Sequence, residues 1–112
     1  MSFGHIEIDG ERFDHDVVVE RGRVRRRKKG PSKEYRAEYG HTPLSTAEKI
    51  PWTGQRLIVG TGATGELPVM PEVYEEAGRR GVELVELPTA QACELLEASD
   101  SDQVAAILHV TC

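Results

Sequence analysis

The alternation of hydrophobic and polar residues changes character near the middle of the chain. In the first half, Ile6 and Ile8 alternate with acidic residues, which is the period of a half-buried strand. A β-branched run at residues 17–19 indicates another strand, and the basic segment beyond the turn at residues 20–22 is predicted to return as the second arm of a hairpin. The first half is therefore predicted to form short antiparallel strands.

The second half alternates nearly continuous apolar runs with helical segments. We predict strands at residues 57–59, 82–87 and 104–110, and helices at residues 72–80 and 90–98. Pro71 suits the opening turn of the first helix and Gly81 the left-handed position after it, while Thr89 is a candidate N-cap for the second. Strands that alternate with helices predict a largely parallel sheet covered by helices.

The segment between these halves is predicted to be mostly irregular. Residues 30–44 contain glycines and prolines and no hydrophobic period, so we expect a surface loop. Ser45 and Glu48 then match a capping box, which predicts a short helix that Pro51 stops. The pattern as a whole predicts one domain over residues 1–112, with a β-hairpin layer followed by an α/β layer.

Three glycines in "LIVGTGATGELPVMPEV" (57–73) have the spacing of a dinucleotide-binding turn: Gly60, Gly62 and Gly65. Such a turn places a pyrophosphate on the N-terminus of a helix that follows at once. Here Pro68 and Pro71 delay the helix by several residues. We therefore interpret Gly60-Thr61-Gly62 as a tight turn at the end of a strand and predict no cofactor.

The same loop is nevertheless the best candidate for a small-molecule site, because open α/β sheets bind ligands at the carboxyl ends of their strands. Glu83 and Glu86 also follow the glycines at about the distance expected for a ribose-binding acid. The candidate ligand loop comprises Gly60, Thr61, Gly62 and Gly65, with Lys29, His41 and Thr89 nearby.

Charge is distributed unevenly, although the net charge is only -5. Residues 21–36 contain nine Lys or Arg against one Glu, a net +8, whereas residues 66–102 contain ten acids against two Arg, a net -8. Period-two geometry places Arg23, Arg25 and Arg27 on one face of the predicted hairpin arm. We expect either a solvated face or a patch for an acidic protein partner. The acidic half of a second copy would also suit it, so we expect a monomer or a weak homo-oligomer.

Phosphate-backbone binding is a weaker interpretation of these three arginines. The basic run lacks interleaved aromatic residues that stack on bases, and the sequence pI of about 5.4 is far below the values typical of nucleic-acid-binding domains. We therefore expect no nucleic-acid partner.

Cysteine content and hydropathy indicate the cellular setting. No apolar stretch approaches the roughly 20 residues of a membrane span, and the start of the chain does not resemble a signal peptide. Cys93 and Cys112 are too few for a disulfide framework, so we expect a cytoplasmic protein without membrane contact. His109 and Cys112 lie three positions apart and would point to opposite faces of a strand, so we predict no metal site. Instead, His109 is predicted to be hydrogen-bonded on the last strand and Cys93 to be packed.

Four segments in order resemble the adipogenesis-associated Mth-domain family, which is itself related to a mitochondrial complex I assembly factor. They are "YGHTPLS" (39–45), "LIVGTG" (57–62), "GVELVELPTAQA" (81–92) and "AAILHVTC" (105–112). The resemblance implies a three-layer α/β fold with a central mixed, mostly parallel sheet, helices and an added N-terminal β-hairpin layer. It also implies a small protein without an established enzymatic activity.

The resemblance favours a non-enzymatic binding or assembly module as the function. The alternative is a small-molecule-binding or enzymatic domain that uses the loop from Gly60 to Gly65. One departure bears on a shared activity. Many relatives have a Tyr-Asn pair in the last helix and an Arg before the last strand, where this chain has Leu96, Glu97 and Gln103.

Overall fold

The computed structural model describes residues 4–110, which form seven strands and four helical segments. The strands are β1 (Ile6–Ile8), β2 (Glu11–Phe13), β3 (Val17–Glu20), β4 (Arg23–Arg26), β5 (Arg56–Gly60), β6 (Glu83–Leu87) and β7 (Val104–Leu108). A 3-10 helix (Gly30–Tyr35) precedes α1 (Arg36–Tyr39), and α2 (Pro71–Arg80) and α3 (Thr89–Glu97) follow. None of the helices in this part of the chain is long and apolar enough to span a membrane.

The central sheet is mixed and has five strands in the order β4-β3-β7-β5-β6. β5 runs parallel to β6 and β7, whereas β3 runs antiparallel to β4 and β7. Strands β1 and β2 form a separate antiparallel hairpin. The predicted mixed sheet and added hairpin layer are thus confirmed. The β3–β4 hairpin extends the central sheet, so parallel pairs are confined to the half that contains β5.

Alternating residues of the central strands build a core on each face of the sheet. On one face, Leu57 of β5 belongs to a cluster with Val73 of α2. On the other face, Ile58 belongs to a cluster with Ala92 of α3 and Ile6 of β1. Because successive strand residues point to opposite faces, β5 has both faces buried and reads as a continuous apolar run. The result is three layers, with α2 on one side and α3 with the β1–β2 hairpin on the other.

Helix α2 follows its sequence signals closely. It begins at Pro71 and ends at Arg80, and Gly81 has a φ of 68°. The Gly81 amide donates to the carbonyl oxygens of Ala77 and Gly78, which satisfies carbonyls at the end of the helix.

Local predictions were wrong in three places. Residues 30–39 form the 3-10 helix and α1 instead of an irregular loop. Ser45 and Glu48 lie in a turn, where the Glu48 amide donates to the Ser45 carbonyl oxygen at 3.3 Å, and no helix follows. The N-cap of α3 is Pro88 and not Thr89. In the last two cases the side chain that was expected to cap a helix is hydrogen-bonded to a distant part of the chain.

Candidate functional site

The glycine loop lies at the carboxyl end of β5, and its backbone amides donate hydrogen bonds within the protein. The Thr61 amide donates to the Leu87 carbonyl oxygen at 2.8 Å, and the Gly62 amide donates to Thr89 Oγ1 at 2.8 Å. The Gly65 amide donates to the Gly62 carbonyl oxygen at 3.4 Å. A phosphate in a glycine-rich turn is bound by such amides, so these three would have to leave their present acceptors.

Thr89 holds this loop closed from the first turn of α3. Its side chain is wholly buried, and its Oγ1 donates to the His109 carbonyl oxygen at 2.6 Å while accepting from Gly62. A Cβ at position 60 would lie 2.9 Å from Leu108 Cδ2 and 3.0 Å from Thr89 Oγ1. Close packing of α3 thus requires glycine at position 60, and a φ of 104° favours it at position 62. Packing and turn geometry therefore account for the first two glycines of the motif.

The structure only partly assembles the predicted ligand loop. Gly60, Thr61, Gly62 and Thr89 come together, as described above. Lys29 is exposed and lines a pocket formed by other residues, and His41 is exposed between α1 and β5.

A buried cluster of charged and polar side chains lies elsewhere, and sequence reasoning missed it. At its centre is Arg27, whose side chain is 1% exposed. Its Nη1 donates to Asp16 Oδ2 at 2.9 Å, and its Nε and Nη2 donate to the two carboxylate oxygens of Glu48, each at 2.8 Å. Nη2 also donates to the Pro43 carbonyl oxygen at 3.0 Å. The planar guanidinium of Arg27 thus forms a bidentate pair with the Glu48 carboxylate.

The Glu48 carboxylate also accepts a hydrogen bond from one buried serine, which in turn contacts a second buried serine. Ser32 Oγ donates to Glu48 Oε2 at 2.5 Å and lies 2.6 Å from Ser45 Oγ. These contacts explain why Ser45 and Glu48 form no capping box. The Glu48 carboxylate turns toward Arg27 and Ser32, where a buried charge needs its partners.

Asp16 links this cluster to the end of β7. His109 Nδ1 lies 2.8 Å from Asp16 Oδ2, and the Val110 amide donates to Asp16 Oδ1 at 3.1 Å. Burial by itself raises the pKa of Asp16, but the hydrogen bond and charge of His109, the Val110 amide and Arg27 outweigh it and lower this pKa to about 2. The prediction that His109 is hydrogen-bonded is confirmed, although the residue lies just beyond β7.

The three arginines of the predicted basic patch have different environments. Arg23 and Arg25 are exposed on β4, whereas Arg27 is buried, so the prediction of one shared exposed face is wrong for Arg27. The alternation itself holds, since Arg25 Nη2 donates to the Lys49 carbonyl oxygen at 3.1 Å and Arg27 reaches Glu48 in the same segment. Residues 43–48 cover this face of the arginine run at the end that contains Arg27 and leave it exposed at the end that contains Arg23.

We call this cluster of Arg27, Asp16 and Glu48 the clamp, because its hydrogen bonds hold separate segments of the chain together. Its charge-assisted hydrogen bonds connect the start of β3, the end of β4, residues 43–48 (the covering segment) and the end of β7. Within residues 4–110, every buried side-chain nitrogen or oxygen has a hydrogen-bond partner. In the same range no group of three or more His, Cys, Asp or Glu side chains is arranged to hold a metal ion.

Cys93 lies on α3 beside the β1–β2 hairpin, where it lines a pocket of about 180 Å³ together with Leu96 and Glu97. Burial raises the pKa of its thiol, which lowers the reactive thiolate fraction. Two of the three positions that depart from the resembled family thus line this pocket. Cys112 is outside the described residues.

The fold and these sites define a class: a mixed α/β protein with a five-stranded sheet, a separate N-terminal hairpin and a buried Arg-carboxylate clamp. A family model described as a protein of unknown function (DUF498/DUF598) matches residues 1–109. The chain belongs to this family.

Solved structures of similar proteins support this assignment. The conserved hypothetical protein PH1505 from Pyrococcus horikoshii OT3 is 34% identical with a TM-score of 0.80, and the match covers 99% of this chain and 95% of that one. A protein named MT938 is 25% identical with a TM-score of 0.72, covering 99% and 94%. An outer membrane protein from Bartonella henselae, at 15% identity and a TM-score of 0.62 over 98% and 92%, shares the fold. No curated protein matches the chain.

Proposed function

We propose that this chain is a cytoplasmic, non-enzymatic binding or assembly module of the adipogenesis-associated Mth-domain group, acting as one domain over residues 1–112. The four segments that resemble this group support the grouping, and a single family model of unknown function matches residues 1–109. The function itself rests on one observation, which is the position and charge of β4.

Strand β4 is at the edge of the central sheet and pairs only with β3 among the described strands. One side of its backbone is therefore open to another strand. Arg23 and Arg25 are exposed, and with Arg21 and Thr53 they line an open groove of about 720 Å³ along this edge. The edge of β4 thus has main-chain groups that pair with no described strand, and the groove beside it is lined by positively charged side chains.

The occupant that fits this edge is an extended acidic segment of a partner protein. A segment that adds a strand to a sheet edge gains main-chain hydrogen bonds, and its alternate side chains give specificity. Arg23 and Arg25 are two residues apart on one face, so carboxylates at alternate positions of the segment would meet them. Glu20 also lines the groove, but Thr53 Oγ1 donates to its carboxylate at 2.8 Å.

The test is a titration of the full chain with a labelled synthetic peptide of alternating Glu and Val, about six residues long, as in a typical strand. We expect saturable binding that weakens with added salt. Arg23→Glu with Arg25→Glu should weaken binding at least about tenfold. A peptide with Lys in place of Glu should not bind.

A matched charge reversal separates local recognition from net charge. Lys33 and Arg36 are exposed on the helical segments after β4, so Lys33→Glu with Arg36→Glu changes the net charge by the same amount and should leave affinity within about twofold. Equal losses in both variants, or no binding by the wild type, would overturn the proposal. Stronger binding of a single-stranded oligonucleotide than of the peptide would favour the nucleic-acid alternative instead.

A further inference from the structure

A second pocket lies at the opposite end of β4, next to the buried clamp. It has a volume of about 240 Å³ and is lined by Asp14, His15, Asp16, Arg26, Arg27, Lys29 and Val110. The β3–β4 pairing positions it, because the Arg27 amide donates to the Asp16 carbonyl oxygen at 2.9 Å just beyond the end of β4. One wall of the pocket, formed by Asp16 and Arg27, therefore belongs to the clamp.

Both carboxylates of this pocket are already paired with cations. Asp14 forms an ion pair with Arg12 at 2.9 Å, and Asp16 is bound by Arg27 and His109. By contrast, no ion pair joins Arg26 or Lys29 to a carboxylate within residues 4–110, and both side chains are exposed. The unpaired charge at the pocket is therefore positive.

The orientation of His15 is fixed by two contacts. Its Nδ1 lies 3.1 Å from the Asp16 carbonyl oxygen, and its ring meets Phe13 edge-on with a centroid distance of 6.1 Å. A carbonyl oxygen can only accept a hydrogen bond, so Nδ1 carries the proton. The other ring nitrogen, Nε2, is then available for a further hydrogen bond.

We propose that this pocket binds the phosphate group of a small molecule. The guanidinium of Arg26 and the ammonium of Lys29 would neutralise its charge, which is about -1.5 to -2 near neutral pH for a phosphate monoester, and His15 would supply a third contact. Arginine is well suited to phosphate because it can donate two parallel hydrogen bonds. The volume of about 240 Å³ suits a phosphate with only a few further atoms. This site uses neither Arg23 nor Arg25 and does not depend on the proposed binding of an acidic segment.

The test is calorimetric titration of the full chain with inorganic phosphate, glycerol phosphate and acetate at low ionic strength. We expect saturable binding of both phosphates and at least about fivefold weaker binding of acetate, which carries a single charge. Tighter binding of glycerol phosphate than of inorganic phosphate would identify an organic monoester as the preferred ligand, and the reverse order would identify the free ion.

Paired variants make the assignment specific. Arg26→Gln with Lys29→Gln should lower phosphate affinity at least about tenfold, whereas Arg23→Gln with Arg25→Gln removes the same charge from the other end of β4 and should leave it within about twofold. In wild-type protein, phosphate should also shift the His15 ring resonances in NMR spectra. Equal losses in the two double variants, or no saturable phosphate binding by the wild type, would overturn the proposal.

Discussion

The two ends of one basic run, residues 21–29, have opposite environments. Arg27 is buried and makes four hydrogen bonds through its guanidinium. Arg25, two residues earlier and on the same face, is exposed and makes one, to a backbone carbonyl oxygen. The difference comes from the covering segment 43–48, which brings Glu48 over one end only. Residues with the same charge in one strand can therefore stabilise the fold at one end and remain available for binding at the other.

The largest expected effect is at the buried end. Arg27→Met removes the cation that Asp16 and Glu48 share and leaves the buried Glu48 carboxylate without an ion-pair partner. Breaking a buried ion pair in this way typically costs about 3 to 5 kcal/mol of folding free energy. Urea unfolding followed by circular dichroism measures this loss.

The adjacent arginine provides the matched control. Arg26 is exposed, so Arg26→Met should change the free energy of unfolding by no more than about 0.5 kcal/mol. If Arg27→Met cost less than about 1 kcal/mol, the buried end would not be a clamp and the contrast with the exposed end would disappear.

The second effect is a loss of stability in acid. The pKa of Asp16 is about 2 in the folded protein, below its ordinary value of 3.8. Because the folded-state pKa is depressed, this carboxylate stabilises the protein fully above pH 4 and loses its contribution as the pH falls toward 2. The difference between the two pKa values corresponds to about 2 kcal/mol of folding free energy.

Unfolding experiments from pH 5 to pH 2 on the wild type and on Asp16→Asn measure this contribution. The variant should be less stable at pH 5, and its stability should fall less steeply than that of the wild type below pH 4. Asp14→Asn, at an exposed carboxylate in an ion pair with Arg12, should leave the wild-type slope unchanged. The same slope in the wild type and in Asp16→Asn would show that other groups cause the acid loss.

The contrast within the basic run also shows where sequence reasoning succeeds and fails. Buried strands such as β5 were predictable because continuous apolar runs report burial on both faces. The burial of Arg27 could not be predicted, because an arginine in a basic run is normally expected to be exposed. Its partners Asp16 and Glu48 are also distant in the sequence, at 11 and 21 positions. Only the fold brings these groups together.

The glycine spacing of the candidate ligand loop has a structural explanation that the sequence alone does not reveal. Spacing alone cannot distinguish glycines that approach a phosphate from glycines that accommodate protein. The absence of a side chain at Gly60 makes room for Thr89, and the Thr89 hydroxyl accepts a hydrogen bond from the Gly62 amide. Strand ends and turns could be predicted from the sequence, whereas the acceptor of the Gly62 amide depended on the docking of α3.

A smaller effect is expected where the clamp is supported by neutral groups. Ser32→Ala removes one hydrogen bond to Glu48 and one contact with Ser45, but Arg27 still donates to both carboxylate oxygens of Glu48. We expect a loss of about 1 kcal/mol in the free energy of unfolding. Ser101→Ala, at an exposed serine, is the control and should have almost no effect. A loss as large as that of Arg27→Met would mean that the serine, and not the guanidinium, holds Glu48 in place.

The smallest stability effect, and the sharpest test of the contrast, is at the exposed end. Arg25→Ala removes one exposed hydrogen bond to the Lys49 carbonyl oxygen, and that oxygen can bond to water instead. The free energy of unfolding should therefore change by no more than about 0.5 kcal/mol, while affinity for the acidic peptide falls. A loss above about 1 kcal/mol would show that Arg25 also secures the chain at Lys49, directly after the covering segment. Both ends of the run would then be structural, and weaker peptide binding by Arg25 variants would reflect a distorted β4 edge instead of a lost charge contact.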